Sequence, residues 1–374
     1  MKDETNEIET IESEEEDFYT DDDIFSFNSW GADLSFRELI ERYTNEELVK
    51  PELQRNYVWD KASASRFIDS ILLGLPIPSI FLAKQSDEKL LIIDGYQRIM
   101  TVFDYVRGIF SVDNKVFKLS NSDKINERWR GKAFSELSET EQRKIKNTTI
   151  HSIIFVQAKP SDNDTGLYQI FERINTSGKT LMPQEIRNCI YQGKLNSLLL
   201  KLNKDETWRS LFGGKEEDSR MRDVEFILRY LFIRNTNFKE MNKSAISLKL
   251  ELNLFMKDKK NSENEALSKF EKDFLSTTKK AHALFNKNAF HNVSKEKTDQ
   301  LSEKFNPTIF DSIMTVLSEV EIPEEVNQAD FEAKRKLLLQ DSDYQKSTSI
   351  RTTNIESINK RIDLAKKYLF GDHE

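Results

Sequence analysis

The feature that most constrains this chain is a junction. Leu90-Leu91-Ile92-Ile93 is a run of four apolar residues, the length of a buried strand rather than of a helix. It passes without a spacer into Asp94-Gly95. Ile99, Val102, Phe103 and Val106 then recur at helical spacing until Gly108 closes the pattern. A strand that turns on glycine into a helix leaves the first helical N–H groups unpaired and the positive end of the helix dipole at the turn, which favours a phosphate. Gly95 permits close backbone approach or a positive φ. Arg98 lies three residues on and reaches back to clamp phosphate oxygens in two-pronged fashion. Asp94 suits Mg²⁺ or an attacking water, and Gln97 a water or a phosphate oxygen. Asp94, Gln97 and Arg98 are the catalytic candidates, and Asp94 is also the metal candidate. The alternative is an ordinary capped helix, with Asp94 as N-cap and Arg98 on the surface. The pentapeptide alone leaves both readings open.

The flanking pattern is mixed. Asp60 caps a helix expected to run to Leu73, with Phe67, Ile68, Ile71 and Leu72 as its apolar stripe, and Gly74, Pro76 and Pro78 stop it. Ser79 to Ala83 reads as a strand. Phe110-Ser111-Val112 and Val116 to Leu119 flank Asp113-Asn114-Lys115 as a hairpin, and Ile150 to Ala158 is another strand. From Asp164 onward almost everything reads helical, notably Asp223 to Arg234, Glu263 to Phe285, Thr308 to Glu319, Glu324 to Leu339 and Asn354 to Leu369. The expected fold class is α+β. An α/β domain spans residues 24–160 and a helical domain residues 161–374, with residues 161–193 completing the site region.

Charge separates the N-terminus from the rest. Residues 1–24 hold 12 Asp/Glu and one Lys, so the formal charge of −8 leaves the remaining 350 residues at +3. Residues 1–23 are therefore expected to be a disordered acidic tail, with a nucleic-acid mimic as the sharper alternative. The single cysteine, Cys189, rules out an intrachain disulfide and a multi-cysteine zinc site. No apolar run approaches the roughly 18 residues of a membrane span, and no signal-peptide pattern opens the sequence. These points give a cytoplasmic expectation, with no membrane partner.

Two other segments carry candidate site residues. In Gln54-Arg55-Asn56-Tyr57-Val58-Trp59, Arg55 adds a second positive charge to an anion site, or else pairs with a carboxylate while Tyr57 and Trp59 anchor the core. In Arg173-Ile174-Asn175-Thr176-Ser177-Gly178, the polar groups suit a ribose, base or phosphate, or simply build a turn.

Together the segments resemble one family, the ParB/sulfiredoxin-like N-terminal domain of GmrSD-type modification-dependent restriction proteins. The resemblance rests on Gln54-Arg55 through Trp59, Leu75-Pro76-Ile77-Pro78, Asp94-Gly95-Tyr96-Gln97-Arg98, Arg173 to Gly178 and Glu185-Ile186-Arg187-Asn188, in order, from roughly Leu34 to Gly193. It implies a ParB-like α/β fold, binding of a nucleoside triphosphate, hydrolysis in several members, and a part in restricting foreign DNA. The nucleotide-binding set it implies is Gln54, Arg55, Gly95, Tyr96, Arg98, Arg173 and Asn175. One departure is specific: the family motif has Gln where this chain has Tyr96. Hydrolysis is weakened or lost if that Gln acts on water, and a tyrosine there is suited to stack on a base. No nuclease is expected in this chain, because His151, His282, His291 and His373 lack the spacing of a His-Asn-His metal finger. Cutting would fall to a partner nuclease or another subunit of the defence system, and a homo-oligomer stays open.

Two functions follow. One is a triphosphate-binding and hydrolysing sensor or regulatory subunit of an antiphage restriction system. The other is a non-hydrolysing DNA-binding or adaptor protein on a degenerate scaffold. A sulfiredoxin-type reductase is disfavoured, since no cysteine lies near Asp94 to Arg98. Lys132, Arg143, Lys144 and Lys146, and later Lys257, Lys259, Lys260, Lys279 and Lys280, are DNA-contact candidates or solvated helix faces.

Overall fold

The computed structural model describes residues 8–9, 11, 26–50, 59–85, 87–159, 165–174, 181–294, 300–322 and 326–371. The chain is α+β and divides into two compact units: Asp23–Leu181 with Asn188–Ile190, and Met1–Asp22 with Met182–Arg187 and Tyr191–Glu374. The first unit thus runs past residue 160, where the sequence pattern places the change to helix.

The first unit is built on a five-stranded sheet. Its strands are β1 (Ser26–Ser35), β2 (Leu48–Val49), β3 (Ile80–Lys84), β4 (Leu90–Asp94) and β7 (Thr149–Lys159), in the order β1-β7-β3-β4-β2. β1 is antiparallel to β7, β7 parallel to β3, β3 antiparallel to β4, and β4 parallel to β2. A separate hairpin pairs β5 (Ile109–Phe110) with β6 (Lys115–Val116); its strands are shorter and begin earlier than the sequence pattern suggests. Because strand side chains alternate, Leu82, Ile92, Ile150 and Ile154 face a common core, while Ala83, Leu91, Ile93 and Phe155 are buried on the opposite face.

Four helices of this unit pack with the core-facing side of the sheet: α1 (Phe36–Thr44), α2 (Lys61–Leu73), α3 (Tyr96–Arg107) and α4 (Glu139–Asn147). Their ends follow local chemistry. Ser35 accepts from the Glu38 N–H at 3.2 Å and Asp60 from the Ser63 N–H at 2.7 Å, each satisfying an orphan helical donor. Gly74 ends α2 at φ 78°. Asp69 is buried on α2, where it accepts from the Trp129 indole N–H at 2.6 Å and the Asn126 N–H at 3.1 Å. Lys144 of α4 donates to the Leu72 carbonyl at 2.7 Å, tying two helices together. A fifth helix, α5 (Thr165–Ile174), begins beside β7, where a side chain at Gly166 would meet Gln157 and Phe27.

Helix α6 (Pro183–Ile190) is shared between the two units in the division above. The second unit carries α7 (Lys194–Leu202), α8 (Glu206–Phe212), α9 (Arg222–Arg234), α10 (Leu248–Lys259), α11 (Asn264–Phe285), α12 (Pro307–Glu319), α13 (Gln328–Gln340), α14 (Ser342–Ser349) and α15 (Ile355–Phe370). Trp208, Phe274, Phe305 and Phe310 are fully or nearly fully buried and pack ring against ring. Asp311 is buried between two arginines: Arg229 donates to both of its oxygens at 2.6 Å, and Arg361 donates at 2.9 Å.

Two expectations change here. The region after Asp164 is not wholly helical: β8 (His291–Val293) and β9 (Leu301–Phe305) form an antiparallel hairpin within the second unit. Nor is every part of the acidic N-terminus without structure. Ile8 bridges to Phe305, the Glu9 N–H donates to the Phe305 carbonyl at 2.9 Å, the Asn306 amide donates to the Glu9 carboxylate at 2.7 Å, and Ile11 is buried. The charge count missed this because Ile8 and Ile11 are apolar anchors embedded among acidic residues.

Candidate functional site

β4 delivers Asp94 at its last position, opposite Phe81 of β3. The chain then turns at Gly95, which has φ 100° and is the N-cap of α3. Asp94 therefore does not serve as the cap. Glycine is needed here on two grounds: the φ is in the left-handed region, and a Cβ would overlap the Ile80 side chain. A glycine cap supplies no side-chain acceptor, so the start of α3 has no side-chain cap hydrogen bond. The twelve-residue helix consequently presents its first-turn N–H groups and positive dipole end beside Asp94.

Arg98 returns toward the turn. Its Nη1 donates to the Ser79 carbonyl at 2.9 Å and lies 3.2 Å from Asp94 Oδ2. The arginine side chain is 20% exposed and the aspartate 36%. The pair is thus neither a core ion pair nor freely solvated. The backbone anchor at Ser79 fixes one guanidinium nitrogen. Gln97 accepts from the Trp59 N–H at 3.3 Å, so it holds the chain just ahead of α2.

Tyr96 departs from its expected role. It is 7% exposed and belongs to the apolar core. Its hydroxyl pairs with that of Tyr43, and burial, with Tyr43 and Asp104 nearby, raises its pKa well above the usual phenol range. A base-stacking Tyr96 is corrected on this ground: as the first residue of α3 it points inward, where its ring packs and its hydroxyl is matched.

Among the remaining candidates, Arg173 is exposed in the last turn of α5. Gln54, Arg55 and Asn175 lie outside the described residues. In the motif on α6, Glu185 and Arg187 are consumed by partners of the helical unit. Glu185 accepts from the Met182 N–H at 2.7 Å and from Arg220 at 3.0 Å, while Arg187 donates to Asn253 at 2.7 Å and to Glu225 at 3.1 Å. Asn188 is fully buried, and neither polar atom of its side chain has a hydrogen-bond partner among the described residues.

Sequence reasoning did not find Ser79, whose carbonyl holds Arg98, nor Trp59 as the anchor of Gln97. Both act through the backbone, and side-chain identity carries no signal for that. Several of the expected basic surface groups are engaged within their own units. Arg143 pairs with Glu139 at 2.8 Å, and Lys280 donates to the Leu317 and Val320 carbonyls at 3.2 and 2.6 Å. Among the described residues no group of three or more His, Cys, Asp and Glu side chains forms a metal cluster, and no helix is long and apolar enough to cross a membrane.

Residues 9–192 match the family model of the GmrSD restriction endonuclease, N-terminal domain. The chain resembles GmrSD-type restriction proteins through this domain. The match takes in the whole strand-turn-helix junction and extends through α6, so the candidate segment Asp94 to Arg98 lies in the matched region rather than in the helices that follow. It points to a role in modification-dependent restriction. Neither the curated proteins nor the solved structures yield a match.

Proposed function

We propose that the GmrSD-type domain binds a nucleoside triphosphate at the Gly95 turn, and that the chain acts as the sensor or regulatory subunit of an antiphage restriction system. The observation that carries this reading is the uncapped start of α3 with Arg98 folded back beside it. An anion finds backbone donors, a favourable dipole and a guanidinium within one turn of helix. Asp94 is the carboxylate at the same turn. If Mg²⁺ accompanies the nucleotide, Asp94 supplies one oxygen and the phosphates supply others, the usual economy of such sites. Foreign DNA, met directly or through a partner nuclease, is the substrate class this reading implies.

Binding and hydrolysis separate at Tyr96. A buried, hydrogen-bonded phenol neither orients a water nor meets a base, so the position that carries Gln in the family motif supplies no polar group at the turn. This favours a second form of the same proposal, in which the triphosphate is held without rapid turnover and its occupancy is the signal. Titration of the full chain with fluorescent adenine and guanine triphosphates, followed by phosphate release with and without DNA, tests both forms. Saturable binding lost in Arg98→Ala supports the site. Absence of binding to any triphosphate overturns it. DNA-stimulated phosphate release would overturn the non-hydrolysing form alone.

A further inference from the structure

The sheet of the first unit ends differently on its two sides. On one side β2 has two residues, and on the other β1 has ten. β1 pairs with β7 along one edge, and among the described residues nothing pairs with its other edge. Asn28, Ser29, Trp30 and Gly31 are consecutively exposed, the indole of Trp30 at 43%. Long open edges are ordinarily guarded by lysine, proline, bulges or a covering segment. Ser26–Ser35 contains no lysine and no proline, and its register irregularity is confined to the Ser26/Phe27 end. Its one charge, Asp33, is answered within the chain by His151, with Nδ1 and Oδ1 2.8 Å apart.

We propose that β1 is a self-pairing edge, and that a second copy of this chain adds its own β1 antiparallel to it. The two-fold axis would stand perpendicular to the sheet and join two sheets into one. The strand's own pattern argues for this occupant. Such an axis keeps faces continuous and so pairs residues of equal parity across the interface. Centred on Trp30, it sets indole against indole, Ser29 against Gly31, Asn28 against Ala32 and Asp33 against Phe27. This register opposes no two carboxylates and covers the exposed indole with an apolar partner, the kind of cross-strand pair that stabilises sheets. A charged peptide would find no row of complementary charge along this edge.

Sedimentation equilibrium of the full chain, with Trp30→Lys and Ser29→Lys, tests the proposal. The expected result is a reversible dimer whose dissociation constant rises at least ~10-fold in each variant. Circular dichroism and melting temperature should stay unchanged, because both side chains are exposed. As a separate arm, Trp30→Cys should form an interchain disulfide on mild oxidation, since Cys189 is buried and does not compete. A wild-type chain that stays monomeric throughout, or lysine variants that dimerise as tightly as wild type, would overturn it.

Discussion

Arg98 donates to the main-chain carbonyl of Ser79 at 2.9 Å. That bond sets the arginine's orientation from a strand start rather than from its own helix, and it predicts how the site tolerates substitution. Lysine keeps the charge but is a point donor without the planar fork. Arg98→Lys should weaken triphosphate binding by roughly 10-fold and Arg98→Ala by roughly 100-fold, about 1.4 and 2.7 kcal/mol respectively. Calorimetric titration checks this. Equal affinity in Arg98→Lys and wild type would show that charge alone suffices.

Gly95→Ala combines two penalties. A non-glycine residue in sparsely populated left-handed backbone costs about 1–3 kcal/mol, and the added methyl overlaps Ile80. Urea unfolding should show a loss of at least that size, with triphosphate binding lost as well. The neighbouring Gly108 also has positive φ, 84°, but a Cβ there meets nothing within 4 Å. Gly108→Ala should therefore cost less, and the difference between the two variants isolates the collision with Ile80.

Asp311 is the shared partner of Arg229 and Arg361 in the helical unit. Removing the carboxylate takes from two buried guanidinium groups the acceptor they share. Asp311→Ala should destabilise this unit by about 3–5 kcal/mol, the scale for breaking a buried pair. Chemical denaturation monitored by tryptophan fluorescence reads this directly, because Trp208 is buried in the same unit. A loss below about 1 kcal/mol would mean the network is dispensable.

His291 is half-buried at the start of β8, with Nδ1 2.8 Å from the Ser302 carbonyl. Burial is the largest influence on it and lowers its pKa, and Arg335 and Lys287 act in the same sense. The folded state therefore holds the neutral imidazole, while the unfolded chain takes up a proton from about pH 6.5 downward. Stability contributed by this group is present above that pH and falls as the solution is acidified toward the depressed folded-state value. Melting curves taken between about pH 7.5 and pH 5.5 should show this loss in wild type, and His291→Asn should flatten it. Identical pH slopes in the two proteins would refute the assignment.

Local order was well represented in the sequence. The strand at Leu90 to Ile93, the helix that follows it and its end at Gly108 all stand where spacing and glycine placed them. So does the Asp60-capped helix to Leu73. Elements held by distant pairing were harder to read. β1 alternates poorly between apolar and polar residues and becomes a strand because β7 pairs along its length. Ile8 is held by its bridge to Phe305, nearly three hundred residues away. The hairpin β8–β9 was absorbed into a helical expectation because its few apolar residues carry no clear period.

For the candidate site, the division has one physical cause. Residue order alone determined that a strand ends in Asp94, that Gly95 frees the backbone and that Arg98 stands one turn into a helix, because strand length, glycine conformation and helical spacing are local properties. Tertiary packing decided which side chains remain available. It turned Tyr96 into the core against Tyr43, held Gln97 to Trp59 and anchored Arg98 at Ser79. Those outcomes depend on which segments meet in space, and a residue's type does not say which of its neighbours will bury it.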